Sequence, residues 1–121
     1  MMTGAVSGRH ALLPLTFRLR NQQELTIEFI VDTGYTDYLT LPADAVIAMG
    51  LRYLHDTPAD LADDSTIQIA VYLATIVWNG MEMDVPALAT GRRPLLGTAM
   101  LEACELLIQF AEGGLVTVDR L

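Results

Sequence analysis

Apolar and polar residues alternate along most of this chain, and a period of two predicts strands rather than helices. Leu15, Phe17 and Leu19 alternate with Thr16, Arg18 and Arg20. Asn21-Gln22-Gln23 then turns the chain, and Leu25, Ile27, Phe29 and Val31 fall on one face of a second strand. The pair predicts a β-hairpin that runs into Asp32. Residues 1–8 show no period and read as a loose terminus or a weak edge strand.

Further on, a short strand over residues 38–41 meets Pro42, which suits a first helical turn. Residues 43–49 continue that helix, and Gly50 suits its stop. Residues 51–65 mix turn formers with few apolar positions and read as irregular. Residues 66–78 predict a long strand with Ile67, Ile69, Val71, Leu73 and Val77 on one side. Asn79-Gly80 is a strong hairpin signal, and the returning strand carries Pro86, which predicts a bulge or an edge position. Thr98 is placed to cap a helix of about two turns. A last hairpin joins residues 106–110 to 115–118 through Ala111-Glu112-Gly113-Gly114. Many short strands with two short helices predict an all-β or predominantly β barrel, one domain over residues 1–121.

Composition narrows the function. The chain has 121 residues, 52% hydrophobic and 18% charged, which fits one folded domain and argues against disorder. No apolar run is long enough for a membrane span or a signal peptide, which leads to the expectation of a cytoplasmic protein with no membrane partner. Seven arginines against fifteen acids give a net charge of −8, and only Arg92-Arg93 cluster, so a nucleic-acid partner is not expected. Cys104 is the single cysteine, so no internal disulfide can form. His10 and His55 stand apart, so no metal site or cofactor is expected.

The chemistry therefore falls to acids. Asp32 ends a strand and is followed by Thr33 and Gly34. Glycine permits backbone conformations barred to other residues and lets its amide approach the carboxylate closely, and a hydroxyl can lock a neighbouring loop. Asp-Thr-Gly is equally an ordinary turn, and a small β-barrel in which it serves only as a turn stays open. The surroundings add weight to the chemical reading: an apolar strand before, Thr36 two positions after Gly34, and Leu95-Leu96-Gly97 about sixty residues later at the start of a short helix.

Taken together, "FIVDTGYT", "LADDSTIQIAVYLATIVWNG" and "LLGTAMLEACELLIQF" resemble the catalytic loop, flap hairpin and apolar-apolar-Gly segment of the retropepsin-like (clan AA) aspartic peptidases. The small microbial type, whose chains end in a Gly-rich hairpin, is the most similar. The resemblance covers most of the chain. It implies a retropepsin-like acid-protease barrel with one or two short helices, acting as a homodimer on a peptide or protein substrate. It implies that Asp32 is catalytic, that Thr33 braces the two halves of the site, that Gly34 permits the tight loop and that Thr36 takes the following hydroxyl position. Leu95, Leu96 and Gly97 would pack beneath the loop, and Asp63, Asp64 and Ser65 would lie at or near the flap tip over substrate. Two positions depart from the family: related chains often carry glycine where Asp64 stands, and Tyr35 is bulkier than the usual small residue.

Aspartic hydrolysis needs two carboxylates that share a proton around a water, one as general base and one as acid. This chain has one Asp-Thr-Gly, so twofold symmetry would supply the second Asp32. Asp37, Asp44, Asp84 and Asp119 lack a comparable loop and are expected on the solvated surface. Cys104 is expected as a structural residue of a short helix, His55 in a loop, His10 in a flexible segment, Trp78 in packing, and the methionines as core filling. The alternative function is a peptide-binding or scaffolding module that keeps the fold and hydrolyses little.

Overall fold

A computed structural model describes residues 1–121. In chain order the elements are β1 (Met2–Ser7), β2 (His10–Arg18), β3 (Glu24–Val31), β4 (Leu39–Leu41), α1 (Ala43–Met49), β5 (Arg52–Asp60) and β6 (Thr66–Trp78). They are followed by β7 (Met81–Ala89), β8 (Leu95–Leu96), α2 (Thr98–Leu101), β9 (Cys104–Ile108) and β10 (Leu115–Arg120). All ten strands join one sheet in the order β5-β6-β7-β4-β8-β3-β2-β1-β10-β9, and β2 also pairs β6 through Thr16↔Val77 and Phe17↔Ile76. That extra pairing closes β6-β7-β4-β8-β3-β2 into a ring. The fold is the all-β barrel with two short helices that the alternation predicts.

Outside the ring, β5 extends the sheet at one end and β1-β10-β9 at the other. The core fills the ring: Leu13, Leu15, Phe17, Phe29, Leu39, Leu41, Ile76 and Leu96 are fully buried. Phe17 and Phe29 stack face to face with ring centroids 5.8 Å apart. At about 25 cal/mol per Å² of apolar surface removed from water, this alternation on β2 and β3 is what selects their register.

Several elements differ from the sequence expectation, each for a local reason. β1 is no loose end: it lies between β2 and β10, because Val6 joins Ala11 and Val116 in a second small apolar cluster. His10 accordingly begins β2 rather than a flexible segment. Arg52–Asp60 is a strand, β5, held by backbone pairing to β6 with almost no buried side chains, so hydropathy gave no signal for it; His55 lies in this strand, exposed. Along β6 the buried positions are Ile69 and Val71, then Ala74, Ile76 and Trp78, while Ile67 is exposed. The strand leaves β5 and enters the ring near Leu73, so the face that meets the core changes. Leu25 is also exposed, although its cross-strand partner Phe17 is fully buried.

Turn chemistry behaves as the sequence predicts at Asn79-Gly80, where both residues have positive φ (49° and 80°), and at Gly50, which ends α1 in the left-handed region. Pro86 produces no bulge. It faces Leu73 in unbroken register and precedes the first β7 residue paired to β4, Ala87, so its missing N–H costs no ladder bond on that side. Thr98 is the first residue of α2 and not its cap, Gly97 occupies the cap position, and α2 is a single turn. Cys104 starts β9, half-buried, instead of sitting in the helix. Met49 and Met100 are buried as expected, but Met81 and Met83 are exposed.

Candidate active site

The local order around Asp32 comes from β8. This two-residue strand slots between β3 and β4, parallel to the first (Ile30↔Leu95, Val31↔Leu96) and antiparallel to the second (Leu39↔Leu96, Thr40↔Leu95). At its start, the Leu95 N–H donates to the Thr40 hydroxyl at 3.2 Å. Thr40 is the sole buried polar residue of the chain. Sequence reasoning passed over it, although a threonine between two leucines in a three-residue strand was the available signal.

Where β3 ends, the Asp32 N–H donates to the Leu96 carbonyl at 2.9 Å, and the Asp32 carbonyl accepts the Tyr35 N–H at 3.1 Å. The Asp32 side chain is half-buried, and its Oδ1 accepts the Gly34 N–H at 2.9 Å. One carboxylate oxygen is thus fixed by the loop itself. Gly34 does not use a positive φ. Its value lies in the close approach, since a β-carbon there would stand 3.3 Å from the Asp32 carboxylate.

Gly97 is the more demanding position. Its N–H donates to the Tyr38 carbonyl at 2.8 Å, and a β-carbon would fall 2.1 Å from the Asp37 carbonyl oxygen and 2.6 Å from the Tyr35 ring. The next two amides continue the clasp: Thr98 N–H to the Tyr35 carbonyl at 2.8 Å, and Ala99 N–H to the Asp37 carbonyl at 3.2 Å. Leu95, Leu96 and Gly97 therefore lie against the Asp32 loop, with Leu96 in the core.

Tyr35 sits in this clasp half-buried. Burial, and secondarily the charge of Asp37, push its phenol up to about 12, so it stays protonated. Its hydroxyl is buried without a hydrogen-bond partner. Asp37 departs from the solvated role expected of it: it is half-buried, and its side chain accepts the Tyr38 N–H at 2.8 Å. Asp44, Asp84 and Asp119 are exposed as expected. Thr33 and Thr36 flank the carboxylate with exposed side chains that make no hydrogen bond within the chain.

Asp63, Asp64 and Ser65 are at the tip of the β5–β6 hairpin, where Asp63 bonds Ser65, Asp64 bonds Leu61, and none bonds the Asp32 loop. The tip closes through Leu61 N–H to the Ser65 carbonyl at 2.8 Å and Asp64 N–H to the Leu61 carbonyl at 3.0 Å. Asp63 accepts both the hydroxyl and the amide of Ser65, and these bonds hold its carboxyl below the usual range. Asp64 has a φ of 66°, the left-handed conformation that glycine adopts without strain. No group of histidine, cysteine or acid side chains is arranged to hold a metal ion.

One solved structure bears on this arrangement. A crystal structure of a retropepsin-like aspartic protease from Rickettsia conorii superposes with a TM-score of 0.54 at 15% identity, over 98% of this chain and 91% of that one. The fold is retropepsin-like. In this retropepsin-like frame Asp32 ends a barrel strand and the single-turn α2 closes beneath its loop. No protein-family profile and no curated protein matches the sequence. No helix is long and apolar enough to cross a membrane.

Proposed function

We propose that the chain is an aspartic endopeptidase that works as a homodimer and hydrolyses peptide bonds with a water held between two Asp32 carboxylates. The observation that carries this reading is the fixed, half-buried Asp32: Oδ1 is held by Gly34 while the loop is clasped from behind by Leu96 and Gly97. Such a carboxylate is oriented before substrate arrives, which is what general base catalysis requires. With a second carboxylate beside it, repulsion between like charges raises one pKa, and the pair keeps one proton for the substrate carbonyl while the other member activates water.

Support for a second copy comes from the sheet edge. β9 ends the sheet with one row of backbone groups unpaired, no proline, and Glu105 and Leu107 exposed. At the opposite edge β5 carries Pro58, a register shift between Tyr53 and His55, and exposed charges, features that deter pairing. An antiparallel β9–β9 pairing centred on Leu106 sets Glu105 opposite Leu107 and so avoids a like-charge contact. Thr33 and Thr36, unbonded in the single chain, are then free to brace across the twofold axis. The β5–β6 hairpin would be the flap over an extended peptide, with Asp63, Asp64 and Ser65 at its tip.

Substitution of Asp32 by asparagine tests the reading. Loss of peptide-library cleavage with the dimer intact is expected; cleavage at the native rate sinks the proposal. The Asp63–Ser65 lock favours a second reading, a peptide-binding module with a stiff tip and little hydrolysis. Saturable binding of extended peptides without turnover across the acid range would select it.

A further inference from the structure

An open groove of about 520 Å³ lies beside α2, with Tyr38, Trp78, Met83, Met100 and Cys104 in its mainly apolar wall. Phe110, just past the far end of β9, is 70% exposed and lines only a hollow with Val6 and Arg9. Burial of so large a ring is a substantial source of association energy. The two features belong to one edge strand. Cys104, in the groove wall, begins β9, and Phe110 stands two residues beyond its last member, Ile108. Cys104, Leu106 and Ile108 form the half-buried face of the strand, while Glu105 and Leu107 are exposed. Phe110 continues the half-buried set, since it meets Val6, whose cluster Ile108 packs against.

In the antiparallel β9–β9 pairing centred on Leu106, residues directly opposite one another share a face. Ile108 then lies opposite the partner's Cys104, and Phe110 falls opposite the partner's Glu102, which lines the groove. We infer that each copy of the chain seats its Phe110 in the α2 groove of the other. The inference rests on the homodimer reading and adds to it two reciprocal aromatic anchors, the form that a twofold axis imposes. The ring is uncharged, so the acid and the base in the groove wall, Glu102 and Arg120, do not oppose it. Met83, exposed in the same wall, offers a sulfur–aromatic contact. The wall also includes Ala99, whose amide donates to the Asp37 carbonyl in the clasp on the Asp32 loop, so each ring bears on the turn that holds the other copy's carboxylate.

Trp78 is the single tryptophan, so its emission reports on the groove while sedimentation reports on the dimer. Over a dilution series of the parent, the emission should shift as the dimer forms. Phe110→Ala should weaken the dimer about a hundredfold, tenfold for each of the two rings, with the fold checked by circular dichroism. At concentrations that restore its dimer, the emission shift should be absent. Met83→Ala should weaken the dimer as well, and by less in the Phe110→Ala background than in the parent, as a shared contact requires. A dimer whose affinity and Trp78 emission are unmoved by Phe110→Ala, or effects of the two substitutions that simply add, overturns this inference alone. A parent that stays monomeric, or a Leu107→Lys variant that still dimerises, overturns it together with the β9 pairing. Cleavage by Asp32→Asn tests the chemistry separately from all of these.

Discussion

Asp32 and Leu96 lie about sixty residues apart in the chain, yet the amide of the first donates to the carbonyl of the second at 2.9 Å. The proposed catalytic carboxylate is therefore held by a strand from the C-terminal third of the chain, and Gly97, the next residue, sets how closely the two segments meet.

Gly97→Ala is the sharpest structural test. The added β-carbon would meet the Asp37 carbonyl at 2.1 Å, a backbone atom that cannot swing aside. Overpacking of this kind costs about 3 kcal/mol. Urea unfolding should show a loss of that size, together with broadened amide signals for residues 32–38.

Tyr35 gives opposite results by substitution. Tyr35→Phe removes a buried hydroxyl that has no partner and keeps the ring, so the protein should gain about 1 kcal/mol and melt at a higher temperature. Tyr35→Ala empties the clasp and should lose about 3 kcal/mol. Calorimetry of the two variants separates the contributions of the hydroxyl and the ring.

The tip of the β5–β6 hairpin should respond to acid. The hydroxyl of Ser65, then its amide, lower the Asp63 pKa from 3.8, so their contribution to the turn is complete above the unfolded-state value and disappears as pH falls through the lower folded-state value. Amide signals of residues 61–65 should stay native-like to pH values where ordinary aspartates are already protonated. Ser65→Ala should move the Asp63 titration upward, and an unchanged titration would refute the lock.

At Asp64 two effects oppose each other. Glycine would relieve a left-handed φ of 66°, worth about 1 kcal/mol, and add a similar entropic cost in the unfolded chain. Asp64→Gly should thus leave global stability within about 0.5 kcal/mol of the parent, while hydrogen exchange at the tip speeds up.

Leu107→Lys tests the edge. An exposed lysine on β9 deters strand pairing without touching the core. Sedimentation should show monomers at concentrations where the parent is dimeric, and cleavage should fall with the dimer. A dimeric variant would place the interface elsewhere.

The legible parts of the fold are those whose side chains are sorted by burial. β2, β3, β6 and β7 announce themselves through alternation, and the Asn79-Gly80 turn through its backbone preference. β5 left no signal because its order comes chiefly from main-chain pairing, and β1 read only as a loose end or a weak edge strand because a single residue, Val6, is buried along it. At the candidate site, Asp32-Thr33-Gly34 and Leu95-Leu96-Gly97 stood out as short patterns. What Tyr35, Asp37 and Thr40 do depends on contacts made by a segment far along the chain, and no local rule supplies those.

β6 also has a mechanical meaning. One unbroken strand of thirteen residues is barrel wall at its C-terminal end and hairpin arm at its N-terminal end, and its buried face changes near Leu73. The arm is a lever with its fulcrum at Val71, where β6 first pairs β7, and residues 66–70 give it a reach of about 17 Å. A tilt of about ten degrees at Val71 carries the end of the arm about 3 Å by simple geometry. The closure proposed for the tip then requires only a small change of twist in a two-stranded ribbon, with no hinge loop.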